Sequence, residues 1–419
     1  MNHIGIIRSF SDPPIPPADV LRDWARCGGM ALTGALGESP DWAPAGLLVA
    51  AREAAAWVEG GGGPALAAEL GGLLFGRAAL RGLRRAGQVS AGGTCRLLRA
   101  SDGWVAVNLA RPDDLACVEA IVGAAATGAD PEAAWTALAA AAAAGPAHVL
   151  ADRAQLLGVP AAALGSVARA PVLVREGGPR RRRGEVLVVD LSALWAGPLC
   201  AHLLSRAGAR VIKVEDPHRP DGARNGPAAF FDHLHAGHAV CPLDLRGAGD
   251  VEALRALIAT ADVVIESSRP RALRALGISA EAAADAGTVW VSITGHGRRE
   301  GNRVAFGDDA AVAGGLVGSD EHGDPVFCGD ALADPLTGLV AAGAALAQLR
   351  SGRGGLLDVA MGGVAADAAR RAAALAAAMP PVQTVRTRAG WSVRCEGAEE
   401  PVRPPSARLY RPLAISCGQ

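Results

Sequence analysis

The chain has 419 residues, with 41 basic and 42 acidic side chains and a formal net charge of −1, so no global basic field gathers nucleic acid or anionic lipid. Half of the residues are apolar, a fifth charged and 4% aromatic, which suits a packed, enzyme-like globule of roughly two to three domains and excludes a small disulfide scaffold. Eight cysteines lie scattered with no C-x-x-C pair and no histidines at ligand spacing, so they read as reduced thiols and no metal is expected.

The start, Met1 to Pro17, has a proline cluster and Arg8 but no apolar run long enough for a secretory signal, which points to the cytoplasm. Alanine-rich helices are predicted around Leu47 to Glu59 and Pro131 to Ala144. Between them, Cys95 to Leu109 places Asp102-Gly103 between two apolar runs, a hairpin signal. Ala133 to Leu150 is the longest weakly polar run, but alanine is barely hydrophobic and Gly145-Pro146 interrupts it, so no membrane span is expected. Glu176 to Gly184 (E-G-G-P-R-R-R-R-G) reads as a connector, with Arg180 to Arg183 a solvated linker lacking the flanking aromatics of a nucleic-acid patch.

Beyond that point strands and helices alternate. Glu185 to Asp190 is a short β-branched run of the kind covered on both faces. Gly197-Pro198 opens a helix whose Leu199, Leu203 and Leu204 recur at helical spacing before Gly208. Val211 to Val214 returns as strand, Asp250 caps a helix carrying Val251, Leu254, Leu257 and Ile258 on one face, and Asp262 to Glu266 and Val289 to Thr294 are two further strands. The alternation predicts an α/β fold, a doubly wound and mostly parallel sheet of Rossmann type, beside a smaller α+β domain. The division read from this pattern is a helical segment 1–60, a small α+β domain 61–178, a Rossmann-like domain 185–380 and a C-terminal tail 381–419.

Ligands of such sheets bind at the carboxyl ends of the strands, which singles out the loops Ser192 to Pro198, Glu215 to Arg224, Glu266 to Arg271 and Gly295 to Arg299. After Asp190 there is no G-x-G-x-x-G, and no G-x-x-x-x-G-K occurs, the sole lysine, Lys213, lying inside a predicted strand. Dinucleotide and P-loop chemistry are disfavoured. The stretch Val326 to Gly338 holds Asp330 and Asp334, and Asp334 directly precedes Pro335 and a long alanine-leucine run. That pattern predicts an aspartate N-cap, structural in most helices, whose carboxylate the helix dipole would keep ionised and hence nucleophilic. A weak echo of this region, Gly314 to Ala347, occurs at Gly28 to Ala56 without the aspartate.

Six motifs in order, V-L-V-V-D-L-S-A-L-W-A-G-P from Val186, V-I-K-V-E-D-P, L-D-L-R, A-D-V-V-I-E-S-S-R-P-R-A-L-R-A-L-G, S-I-T-G-H-G, and A-D-P-L-T-G with G-R-G-G-L-L-D-V-A-M to Met361, resemble those of the class III CoA-transferases. This CaiB/BaiF-type family includes formyl-CoA and carnitine CoA-transferases and the α-methylacyl-CoA racemases. Leu97 to Pro160 resembles its small domain, which normally follows the large one and here precedes it, so the echo at Gly28 would be a remnant of a duplicated active-site region. The resemblance implies an acyl-CoA:carboxylate CoA-transferase in which Asp334 forms an acyl-aspartyl anhydride and then an aspartyl-CoA thioester. It implies coenzyme A, carried by the acyl-CoA substrate, against Leu194, Trp195 and Ala196, the turn at Asp216, and Ser267 and Ser268. It also implies a homodimer of interlocked chains, with small-molecule acyl-CoA and carboxylic acid as its other partners.

Two departures bear on the site. His238-Ala239 stands where the family has a basic pair, and Ala275 where a basic residue often follows, which shifts the expected phosphate grip to Arg269, Arg271 or Arg274. The racemases' G-H-D segment reads Gly307-Asp308-Asp309 here, so the epimerase alternative would pair Asp334 with Asp308, and a non-catalytic CoA-thioester-binding relative is the third reading. Oxyanion donors are sought at Gly314-Gly315 or Gly329, and His296 is a loop histidine near the expected site.

Overall fold

The computed structural model describes residues 15–123, 130–180 and 184–410. The chain start read for a leader, Arg181 to Arg183 and Cys417 lie outside the described residues.

In chain order the strands are β1 (Cys95–Ala100), β2 (Gly103–Asn108), β3 (Ala161–Ala163), β4 (Val172–Pro179), β5 (Leu187–Asp190), β6 (Arg210–Glu215), β7 (Ala239–Pro242), β8 (Val263–Glu266), β9 (Val289–Thr294), β10 (Val317–Ser319), β11 (Pro325–Phe327), β12 (Arg353–Ala360), β13 (Val382–Thr387), β14 (Gly390–Cys395) and β15 (Ala398–Pro401). Seven of them form one sheet in the order β4-β12-β9-β8-β5-β6-β7, parallel throughout except for β4. Leaving β4 aside, that is the doubly wound order with its switch point between β5 and β8. Successive residues of one strand enter opposite cores: Val188, Val263 and Val289 pack on one face, Val189, Val264 and Trp290 on the other. A sheet covered on both sides needs such continuous apolar runs.

Three strands of this sheet escape the sequence pattern. β4 contains Glu176-Gly177-Gly178-Pro179, residues that read as a connector. The glycines are required there because a Cβ at Gly177 or Gly178 would stand 2.2 or 2.1 Å from the carbonyl oxygens of Ala284 and Asp285, and proline is tolerated because β4 is an edge. β7 is short and largely exposed, and β12 opens with Arg353-Gly354-Gly355.

The antiparallel meander β1-β2-β3 and the helices Pro131–Ala143 and Ala147–Leu156 enclose their own core around Val105, Val107, Leu138 and Leu150. The helix Leu70–Leu80, grouped with this unit in the sequence division, buries Leu73, Leu74 and Phe75 in the large core. The helix Leu47–Gly60 does the same and lays Trp57 across Gly343 of the helix Ala333–Arg350, where an added Cβ would meet the indole at 2.8 Å. No helix among the described residues is long and apolar enough to cross a membrane.

Candidate active site

The helix that carries Asp334 starts at Ala333 with Leu332 before it in helical conformation, so the predicted aspartate cap is not formed. Asp334 sits in the first turn instead, partly exposed, its N–H donating to the Ala331 carbonyl at 2.9 Å. A tight turn ahead of the helix sets this position: Gly329 has φ +70° and Ala331 φ +48°, a left-handed conformation that costs an alanine energy and is typical of positions where geometry matters more than comfort. The Ala331 N–H donates to Asp308 Oδ1 at 2.9 Å. Facing the turn, the Gly307 backbone N–H favours the ionised form of the Asp334 carboxyl, and Gly307 approaches so closely that a Cβ there would lie 2.4 Å from Asp334 Oδ2.

The electrostatics reverse the dipole expectation. Burial, with Asp308 and Asp330 adding like charge, pushes the Asp334 carboxyl up to about 7 against the opposing pull of Arg77 and the Gly307 N–H. Asp308 rises to about 6 through burial and Asp330, and Asp309 to about 7 through burial. Two or more carboxyls near one another in a poorly solvated site cannot all ionise at neutral pH. Asp309 also anchors the small unit: Asn108 Nδ2 on β2 donates to its Oδ1 at 3.1 Å, as does the Phe306 N–H at 3.0 Å.

Arg77 was not singled out by sequence reasoning. It projects from the helix Leu70–Leu80 and holds Asp330 with two bonds, Nε to Oδ2 at 2.9 Å and Nη2 to Oδ1 at 2.7 Å. Its guanidinium lies 4.5 Å from the Trp195 ring centre. Trp195 is therefore covered, 1% exposed, with Phe230 against its edge at 5.3 Å. No adenine can stack on it in this arrangement, and Ala196 is likewise buried.

At the carboxyl edge of the sheet, Leu194 is 39% exposed in a left-handed conformation, φ +72°. Its N–H donates to Asp221 Oδ1 at 2.9 Å, and the other Asp221 oxygen takes the buried Lys213 ammonium at 2.9 Å. Lys213 also donates to the Ser192 carbonyl, so the sole lysine ties the loop after β5 to the loop after β6. Ser267 is exposed and accepts the Ala193 N–H at 3.2 Å, whereas the Ser268 hydroxyl is buried with no protein partner. Asp216 accepts the His218 N–H in the turn after β6.

Arg269 is half-buried and held below its ordinary range by burial and by Arg271, Arg111 and Arg219 around it. Arg111, from the small unit, and Arg219 join this positive cluster without having been marked in the sequence. Arg274 is engaged on the surface with Glu281 at 3.2 Å. His238, which stands in for a basic residue, is pushed down to about 4 by burial and Lys213, so it is neutral at pH 7. His296 is buried and also lowered to about 4. The Gly314 and Gly315 N–H groups donate to the Ala310 and Val312 carbonyls, which removes them as oxyanion donors.

The family model for CoA-transferase family III matches residues 184–402, just over half of the chain. The chain belongs to CoA-transferase family III. Within that match fall β5 to β15, the switch-point loops and Asp334, while Arg77, Asn108 and Arg111 lie ahead of it. Among similar proteins, the human succinyl-CoA:glutarate CoA-transferase is 30% identical over 190 residues, 41% of this chain and 43% of that one. The succinyl-CoA–D-citramalate CoA-transferase of Chloroflexus aurantiacus is 30% identical over 198 residues, 43% and 49% of the two chains. This family III chain thus spans less than half of the length of those relatives. A CaiB/BaiF family crystal structure from Brucella suis aligns over 52% of this chain and 67% of that one, with 26% identity and a TM-score of 0.45.

Proposed function

We propose that this family III member is an acyl-CoA:carboxylate CoA-transferase with Asp334 as covalent nucleophile. The observation that carries the reading is the placement of Asp334: partly exposed, in the first turn of a buried helix, with its carboxyl close against Gly307 and its basicity raised. Raised basicity makes the ionised carboxylate a stronger nucleophile at the cost of its population at neutral pH.

The steps balance without a further reagent. An Asp334 oxygen attacks the thioester carbonyl and CoA thiolate leaves, giving an acyl-aspartyl anhydride. The thiolate then attacks the Asp334 carbonyl carbon, releasing the acyl carboxylate and leaving an aspartyl-CoA thioester. An acceptor carboxylate attacks that thioester, expels CoA thiolate and forms the second anhydride. Attack of the thiolate on the acceptor's acyl carbon yields the new acyl-CoA and regenerates the Asp334 carboxylate. The Gly307 N–H, which favours the ionised carboxyl, would stabilise negative charge on Asp334 oxygen when the thiolate attacks.

Coenzyme A is read onto the switch-point edge, with Leu194, Ser267 and the orphaned Ser268 hydroxyl along it and the Arg269, Arg271 and Arg219 cluster for its phosphates, Arg111 standing beside it in an ion pair with Asp114 at 2.6 Å, since clustered guanidiniums favour a multiply charged anion. The homologous names point to carboxylic acids as acceptors. We further read the shifted order of the small unit and the family's interlocked dimer onto this chain, which light scattering on the purified protein tests.

Incubation with a panel of acyl-CoAs followed by intact-mass measurement should show an adduct on wild type that hydroxylamine releases and that Asp334→Asn abolishes. An adduct surviving that substitution refutes the assignment. A second reading, epimerisation at the acyl α-carbon, rests on Asp308 and Asp334 being two coupled carboxyls with raised values. It predicts deuterium incorporation at that carbon without CoA exchange.

A further inference from the structure

We infer that Arg77 and Asp330 form a positioning pair that sets both the place and the charge of Asp334, and that the segment ahead of the family-matched region thereby completes the site. The inference rests on the reading of Asp334 as nucleophile.

Asp330 is 1% exposed and begins the turn that leads into Asp334. Its carboxylate is taken by Arg77 through two parallel N–H bonds, a fork that fixes distance and plane together and that a lysine cannot reproduce. Arg77 is itself held by Trp195, whose ring lies 4.5 Å below the guanidinium, and Trp195 by Phe230. The chain of contacts runs from the loop after β5, where CoA is read, through Trp195 and Arg77 to Asp330 and the nucleophile's turn. Moving Arg77 would free Asp330, and with it the strained Ala331 whose N–H reaches Asp308 and whose carbonyl takes the Asp334 N–H.

The same pair acts through charge. The groups acting on Asp334 are Arg77, Asp308, Asp330 and the Gly307 N–H. Asp308 is in turn faced by Asp330, Arg77, the Ala331 N–H and Ser90, and neighbours Asp309, while Tyr410 feels Arg77 and Asp330 from the other side. Arg77 is the one cation of that set. Losing it alone disfavours the Asp334 carboxylate, whereas losing the Asp330 charge alone favours it.

Opposite displacements are what a merely structural role cannot produce. The rate of acyl-enzyme formation would be followed in single turnovers between pH 5 and 9 for wild type, Arg77→Gln, Asp330→Asn and the double variant. The expected result is a midpoint moved up by about one pH unit in Arg77→Gln and down by a similar amount in Asp330→Asn, with the double variant near the wild-type midpoint but slower. Asp330→Asn keeps the shape of the side chain, so it carries the test if Arg77→Gln does not fold. Equal midpoints in wild type and Asp330→Asn, with a normal wild-type adduct, overturn the inference alone. Absence of any wild-type adduct at Asp334 overturns the nucleophile reading, and the inference with it.

Discussion

Gly307 has no room for a side chain against Asp334 and Ala331, which makes Gly307→Ala the sharpest single perturbation of the site. The added methyl would stand 2.4 Å from Asp334 Oδ2, 2.4 Å from the Ala331 carbonyl oxygen and 2.7 Å from the Ala331 Cβ. Ordinary contact begins near 3.4 Å, so something must retreat by about 1 Å. Two of those atoms belong to a turn clamped by Asp308 and Asp330, leaving the carboxyl to swing away. Overpacking of this kind costs about 1–3 kcal/mol of stability, while a 1 Å displacement of a reacting group costs on the order of a hundredfold in rate. The assay is single-turnover formation of the hydroxylamine-sensitive adduct, with circular dichroism and thermal melting on the same preparation. A rate within about threefold of wild type would show that the carboxyl need not occupy its observed place.

For wild type, adduct formation should rise about tenfold between pH 6 and pH 8, because the attacking form is the carboxylate and burial sets its midpoint at about 7; a flat profile counts against Asp334. Asp309→Asn should stabilise the fold more at pH 8 than at pH 5, by about 1–3 kcal/mol. A carboxyl with a raised folded value binds protons the unfolded chain has released, so its contribution falls as pH climbs from the unfolded value towards 7, and the new amide can reach the orphaned Asn108 Oδ1; melting curves at the two pH values check this. Gly338→Ala puts a Cβ 2.8 Å from Leu199 Cβ and 2.9 Å from the Ala196 carbonyl oxygen, wedging apart the helix that carries Asp334 and the helix after β5, and should cost about 1–3 kcal/mol by denaturant titration. Arg269→Ala should raise the acyl-CoA KM by roughly tenfold or more with kcat little changed, an effect that shrinks at high salt.

What was legible in the sequence followed the strength of local pattern. β5, β6, β8 and β9 announce themselves by short β-branched runs between helical repeats, and β9 is found over its full observed span. β4 is hidden because its glycines answer to the backbone of Ala284 and Asp285, a demand that no local window contains. The switch-point loops followed from topology and motifs, yet the fate of Trp195 did not. An indole at a loop tip gives no sign that a guanidinium 118 positions earlier in the chain will cover it. The aspartate cap failed for a similar reason: Ala331, Leu332 and Ala333 carry no turn signal, and the turn exists because Arg77 and the Gly307 segment grip Asp330 and Asp308's partner from outside the helix.

The raised carboxyls and the strained backbone are two aspects of one arrangement. Leu194 and Ala331 are two of the three non-glycine residues with positive φ among those described, one beside the edge where CoA is read and one beside Asp334. Both are over-determined by buried ion pairs, Lys213 with Asp221 and Arg77 with Asp330. Breaking one partner of such a pair leaves an uncompensated buried charge, which is costly, and that cost is what holds each strained residue in place. The segment that supplies Arg77 lies ahead of the family-matched region, so the one cation acting on the Asp334 carboxyl comes from one part of the chain, and the carboxylates that oppose it, Asp308 and Asp330, from another.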